Sequence, residues 1–337
     1  MDVRAFARQS RVLIVAGKGG VGKTTMTAAL AHMAASAGLS VLVVELEGRP
    51  GVASAFGVRD PLGYAGSVLR AAGASTGSEE RDDLVIPAGT VQARLITPDD
   101  ALIEYLADHG LRRVSRRLMA TGIVDLVAGA IPGIRDILVL GKIKQLERSR
   151  VADLVLVDAP ATGHTMTFLS SAGGLLDAAR GGPIRAQAAD VVELLSDPAR
   201  CQVALVTLPE EMPVNEAVDA AYQLEDKLGI ALGPIIVNAC YAAEPGLQTP
   251  AQDAARAAGV TLDPELLSSL ETARRFRLRR QELQDAELGR LAHELPLPQW
   301  RVPFLFPDSI GPSELDTLSA ALAAGISALP EPAPAQE

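Results

Sequence analysis

Residues 17–25 read Gly17-Lys18-Gly19-Gly20-Val21-Gly22-Lys23-Thr24-Thr25, and they contain one lysine more than a phosphate cradle requires. Gly17, Gly22, Lys23 and Thr24 satisfy the spacing G-x-x-x-x-G-K-[ST]. In that motif backbone N–H groups surround phosphates, the lysine reaches the β- and γ-oxygens, and the threonine hydroxyl binds Mg²⁺. Lys23 and Thr24 fill the last two roles, with Gly19, Gly20, Val21 and Thr25 completing the wall. Lys18 is a second cation with no place in that scheme. A chance glycine-rich turn needs no particular flanks, whereas here an apolar run (Arg11 to Ala16) precedes the loop and a helix-compatible segment (Thr24 to Ala37) follows it, stopping at Gly38. The helix N-terminus would then face the anion.

Other acids take their meaning from that loop. Asp158 closes the run Leu154-Val155-Leu156-Val157, where the carboxylate that holds a magnesium shell belongs. A strand-ending aspartate also caps helices; the glycine loop favours the metal role. Ala159 to Thr165 reads as a small-residue loop able to change course with the state of a γ-phosphate. Glu45 and Glu47 leave the run Val41 to Val44 on one face, with Glu47 farther out. Glu47 is positioned to orient an attacking water as general base or positioner, and spacing alone fits an exposed strand-end acid equally well.

The elements that must carry these residues alternate. Apolar runs recur at 154–157, 203–206, 235–237 and 300–306, separated by helical patterns near 185–196, 212–228 and 263–292. That order predicts a doubly wound α/β fold with a mainly parallel sheet. Gly51 to Thr97 reads as a mobile loop flanked by short elements, turn-rich at Ala71 to Ser78. Pro98 to Arg150 reads as helical, with Asp99 or Asp100 capping a helix through Tyr105, followed by helices at 111–127 and 135–146. The tail 330–337 is too proline-rich and apolar-poor to pack.

With 337 residues, 48% of them apolar, the chain can bury one large core. No apolar run approaches the ~20 residues of a membrane span, and the start lacks a secretion signal, so a cytoplasmic location is expected. The two cysteines, Cys201 and Cys240, lie far apart in sequence and read as buried thiols rather than a metal cluster. A net charge of −10 and an aromatic content of 3% argue against nucleic acid as a partner. Two arginine clusters, at 112–117 and 274–280, read as solvated helix faces.

Set together, these motifs resemble the MinD/ParA and arsenical-pump class of ATPases, whose deviant phosphate loop carries the early lysine. Asp158 to Thr165 with Phe168-Leu169 is similar to the switch of the branch that holds the arsenical-pump ATPase and the guided-entry ATPase for tail-anchored membrane proteins. Ala55-Phe56-Gly57, Pro132-Gly133-Ile134, Pro209-Glu210 and Val237-Asn238 extend the match over most of the chain. The resemblance implies a P-loop ATPase domain over 1–329, with a helical insertion at about 60–150 and a short helical segment at about 170–200. It implies ATP and Mg²⁺ as ligands, with Lys23, Thr24 and Asp158 holding phosphates and metal. Lys18 would reach a partner chain's nucleotide across a dimer interface. Asn238 would pair with the adenine edge, or cap a turn, and Pro303 and Phe304 would close over the base; with no Asn-Lys-x-Asp signature present, ATP is expected over GTP.

The departures are specific. Glu47-Gly48-Arg49-Pro50 stands where the family has Asp-Pro-Ala-His, so hydrolysis is expected to be slow or to require closure by a partner. The switch proline is shifted by one, Thr167 replaces an arginine, and His164 reads as a structural or signalling contact rather than a metal ligand. Neither the cysteine constellation of metalloid pumps nor the zinc pair of the guided-entry dimer is present. Leu175, Leu176 and Ile184 offer only a modest apolar surface for a client. The expectation is a nucleotide-switched dimeric ATPase, homodimeric or paired with a related chain, that acts on a protein client or membrane-associated partner. The alternatives are the energising subunit of an anion or metalloid transporter and a weakly hydrolysing member of a heterodimer.

Overall fold

The computed structural model describes residues 1–46, 51–71, 85–108, 110, 133–160 and 162–330. Its centre is made of β1 (Val12–Ala16), β2 (Val41–Glu45) and β5 (Leu154–Asp158), short runs of Val, Ile and Leu with almost every residue buried. Such runs show no polar alternation because helices cover both faces, as in a parallel sheet. With β3 (Ser67–Arg70), β4 (Val91–Leu95), β6 (Cys201–Thr207), β7 (Ile235–Cys240) and β8 (Gln299–Pro303) they form an eight-stranded sheet in the order β3-β4-β2-β5-β1-β6-β7-β8. The described pairings are parallel except for β3 against β4.

One face is covered by α1 (Val3–Ala7), α2 (Lys23–Ser36), α3 (Val52–Ala55) and α11 (Pro312–Ser327). The other carries α4 (Pro98–Asp108), α5 (Ile134–Arg148), α6 (Thr162–Ala178), α7 (Pro183–Ser196), α8 (Glu211–Tyr222) and the C-terminal part of α10 (Pro264–Glu294). A short α9 (Ala251–Ala257) precedes α10 and packs on it. The fold is thus doubly wound, as the strand and helix alternation predicts. Helix α2 lies between the sheet and α11, where Ala28, Ala29, Ala31, Ala34 and Ala35 allow close approach and the Ser319 hydroxyl donates to Ala29 O at 2.8 Å. It ends where expected: Gly38 takes a positive φ of 83°, with Gly38 N donating to Ala35 O and Leu39 N to Ala34 O.

The structure corrects the sequence reading in three places. The stretch 60–150 contains β3 and β4 as well as helices; these strands are short, and Gln92 and Arg94 interrupt the apolar pattern of β4. The cap of α4 is Thr97 rather than Asp99 or Asp100. With Pro98 opening the helix, Asp100 N–H donates to Thr97 Oγ1 at 3.1 Å and the Thr97 hydroxyl donates to Asp100 Oδ2 at 2.6 Å. The loop after Asp158 is shorter than read, because α6 already begins at Thr162. The helix expected at 111–127, the turn-rich run 72–78, the first arginine cluster, Glu47 and residues 331–337 lie outside the described residues.

Candidate nucleotide site

Register brings the site together. Val15 is level with Asp158 across β1 and β5, and Glu45 is level with Asp158 across β2 and β5, so three strand ends open on one edge beside the loop that follows Ala16. This is the carboxyl end of a doubly wound sheet near the point where its winding reverses, the usual place for a ligand.

The loop is shaped by its glycines. At Gly17, φ is 153°, and a Cβ there would lie 2.3 Å from the carbonyl oxygen of Val206 on β6. At Gly22, the residue before α2, φ is 94°, and a Cβ would lie 2.4 Å from the Asn238 amide nitrogen. Both positions therefore require glycine, and the backbone between them forms the wall of a cradle. Gly17→Ala is expected to destabilise the fold by about 1–3 kcal/mol through overpacking and to weaken nucleotide binding. Denaturant midpoints and ADP titration check this; parental values in both would show that the β6 carbonyl yields without cost.

Within the loop the two lysines diverge. Lys23 Nζ turns back to donate to the carbonyl oxygen of Lys18 at 3.1 Å. The Lys18 side chain leaves the loop and pairs with Glu216 Oε1 on α8 at 2.5 Å. Gly19 and Gly20 at the tip are exposed. Thr24 Oγ1 donates to Asp158 Oδ2 at 2.7 Å, and the buried Thr27 hydroxyl lies 3.4 Å from Asp158 Oδ1 while donating to Lys23 O at 3.0 Å. A hydroxyl and a carboxylate in register at a phosphate cradle form the hard-oxygen donor set suited to Mg²⁺.

Glu45 is almost fully buried beside this pair, with its Oε1 accepting the Val52 N–H at 2.8 Å. Burial pushes its carboxyl up to about 7; the Val52 amide works against that shift and the nearby Asp158 charge adds to it. The acid expected to contact water, Glu47, lies outside the described residues.

At the far end of the site, Asn238 Nδ2 donates to Val21 O at 2.9 Å and its Oδ1 accepts the N–H of Ala239 at 2.8 Å. Its amide thus ties β7 to the phosphate loop. Ala239 is left-handed at φ 59°, a strained position for a residue with a Cβ, next to a bulge against β8. Gln284, buried on α10, clamps this turn by donating to Ala239 O at 3.1 Å and accepting from Tyr241 N at 2.8 Å. Pro303 ends β8, and Phe304 N–H donates to Cys240 O at 2.9 Å. The Phe304 ring packs 5.3 Å from Tyr241 and 4.5 Å from Phe306, with the Arg277 guanidinium 3.8 Å over Tyr241.

Known sequences match this arrangement. Residues 12–60 match the CobQ/CobB/MinD/ParA nucleotide-binding domain and residues 98–176 the anion-transporting ATPase family. The ATPase BagA of Mycobacterium tuberculosis is 38% identical over 235 residues, covering 68% of this chain and 64% of that protein. These matches support an ATPase of the arsenical-pump and Get3 type, in the MinD/ParA-like class. The arsenical pump-driving ATPase of Escherichia coli is 28% identical over 229 residues, 67% of this chain and 34% of that one. ATPase get3 of Schizosaccharomyces japonicus is 28% identical over 158 residues, 47% of this chain and 43% of the relative. The matched region spans less than two thirds of each of these relatives.

Three residues carry parts that sequence spacing does not suggest: Glu216 as the partner of Lys18, and Gln284 and Tyr241 at the far end. Glu45, marked in the sequence only as an acid at a strand end, is buried. His164 is exposed on the first turn of α6, and Thr167, in the place of the family arginine, is exposed and donates back to Gly163 O of its own helix. Burial raises the Cys201 thiol to about 12 and the Cys240 thiol to about 11. Leu175 is buried, and Leu176 and Ile184 pack against the core. No described helix is long and apolar enough to cross a membrane.

Proposed function

We propose that this chain is a Mg²⁺-dependent ATPase that works as a two-chain unit, coupling nucleotide state to a protein client or membrane-associated partner. The observation that carries the reading is the Thr24–Asp158 contact at the foot of a glycine cradle, because it supplies hydroxyl, carboxylate and lysine at one phosphate-sized place. Thr24 and, through water, Asp158 would hold Mg²⁺, which supplies charge neutralisation at the phosphates. Lys23 is directed onto the loop and serves the β- and γ-oxygens. Asn238, Pro303 and Phe304, with Tyr241 beside them, provide the polar edge and aromatic wall for the base. Glu47 orients the attacking water.

Lys18 supports the two-chain reading. Its side chain turns from its own loop to Glu216, and both groups are about one-third exposed, at 37% and 34%. Such a pair contributes little, on the order of 0–1 kcal/mol, so the lysine is released at small cost to reach a neighbouring chain. Exposed apolar side chains lie on α10, in the turn before it and in the segment after β8, at Val260, Leu266, Leu270, Phe276, Leu283 and Phe306. This surface, rather than the core-facing Leu175, favours a protein partner. Thiols held protonated by burial are poor soft-metal ligands, which favours a protein client over a metalloid cargo.

The test is phosphate release from MgATP. Lys23→Ala and Asp158→Asn are each expected to lower turnover by about 10²-fold or more, the scale for losing one preorganised electrostatic group. Parental turnover in either would overturn the assignment. Glu47→Gln with ATP is expected to sediment as two chains and to retain its partner on affinity capture. A single-chain mass in every nucleotide state would remove the two-chain part.

A further inference from the structure

On the sheet face away from α2, a second group of charges has no part in the nucleotide site. Arg94 sits on β4, on the face it shares with Ile96 and opposite Ala93. It is 4% exposed, and its Nε and Nη1 have no hydrogen-bond partner among the described residues. A buried guanidinium cannot neutralise itself by losing a proton, so its charge must be answered by an anion. The charge reaches Tyr64, whose hydroxyl donates to Glu104. Glu104 in turn accepts from Lys142 Nζ at 2.6 Å, and that ammonium lies 5.6 Å over the Tyr64 ring.

Further along α5, Lys144 donates to Asp190 Oδ2 at 2.7 Å and to Gln187 Oε1 at 3.3 Å, while Arg148 reaches the same Asp190 oxygen at 3.5 Å. Between α4, α5 and α7 lies a half-open cavity of about 370 Å³, lined by Glu104, Tyr105, Lys142, Lys144, Arg148 and Gln187 among others. Its charged lining is three cations against one acid. Lys142 and Lys144 are both nine-tenths buried. A network built only for stability would pair each buried cation with its own acid. Here buried Lys142 has Glu104 and buried Lys144 has Asp190, which half-exposed Arg148 shares, but Arg94 has none: the acids around Tyr64 are Glu104, already bound to Lys142, and Asp100, which accepts from Thr97.

We propose that this cavity binds a small anion carrying two or more negative charges, on carboxylate or phosphate groups. Lys142, Lys144 and Arg148 make the contacts, and Arg94 supplies positive potential from behind. The volume equals that of about a dozen water molecules, which admits a small metabolite. The site lies on a different face from α2 and uses none of the nucleotide-site residues, so it stands independently of the ATPase assignment.

The test is calorimetric titration of the full chain with citrate and, separately, with inorganic phosphate, in saturating MgADP so that the phosphate loop is occupied. Saturable binding of at least one probe is expected, and comparing the two identifies the preferred anion. Arg148→Ala, at a half-exposed position that tolerates truncation, and Lys144→Gln are each expected to weaken it about tenfold or more, the loss of one charge-assisted contact. Arg94→Met is expected to weaken binding while raising the thermal midpoint, since it removes an uncompensated buried charge; a merely structural arginine would not move these two readouts in opposite senses. Failure of both probes to bind the parent, or binding unchanged in Lys144→Gln and Arg148→Ala, overturns the proposal.

Discussion

Lys18→Ala is expected to lower ATP turnover by about 10³-fold, the lower end of the range for a charge supplied to a phosphoryl-transfer site by a partner chain. Nucleotide affinity is expected to stay within about fivefold of the parent, because the pair it loses is a partly exposed one. The loop itself does not need the side chain. What Lys18 gives its own loop is the backbone carbonyl that accepts Lys23 Nζ at 3.1 Å, and alanine retains that carbonyl. Turnover at the parental rate would remove Lys18 from the chemistry.

Mixing tests the direction in which Lys18 acts. If it acts across chains, a Lys18→Ala chain paired with a Lys23→Ala chain leaves one complete site, with Lys23 from the first and Lys18 from the second. Two separately inactive preparations would then regain activity when combined. If Lys18 acts within its own chain, both sites in the mixed pair stay incomplete and nothing is regained. Glu216→Gln is the companion variant: releasing the ion pair should change nucleotide-driven association by no more than about fivefold, because both partners are one-third exposed.

The parts of the site that local chemistry defines were legible in the sequence. Gly17, Gly22, Lys23 and Thr24 are set by a spacing with one physical purpose, and the buried strands are unmistakable because nothing polar interrupts them. Asp158 is legible because a strand end next to such a loop has few uses for a carboxylate. Contacts made across long separations were not legible: Lys18 and Glu216 are 198 residues apart, and Asn238 and Val21 are 217 apart. Strand β4 is hidden for a different reason: Gln92 and Arg94 interrupt its apolar pattern, and the buried Arg94 charge acts on Tyr64, which donates to Glu104.

Glu45 carries the largest expected effect of pH. Its carboxyl is raised from 4.5 to about 7 in the folded chain. The native state therefore holds this proton more tightly than the unfolded state, so folding is favoured fully below the unfolded value and less as pH rises toward 7. At about 1.4 kcal/mol per unit, the loss by pH 8 approaches 3 kcal/mol. Glu45→Gln keeps a side-chain oxygen to accept the Val52 N–H but removes the charge that burial and Asp158 oppose. In metal-free buffer the variant should thus be more stable than the parent at pH 8, by up to about 2 kcal/mol after the weaker hydrogen bond is counted, and the advantage should fade by pH 5. Urea midpoints across that range measure it, and parallel profiles for the two proteins would show that the buried carboxyl is not the source. A protein that accepts this cost keeps a second acid in register with Asp158 while fastening the first amide of α3, on the other side of residues 47–50, to the strand end. The same variant should therefore lower MgATP turnover even where it raises stability. That opposite pair of effects separates a positioning acid from a passive core residue.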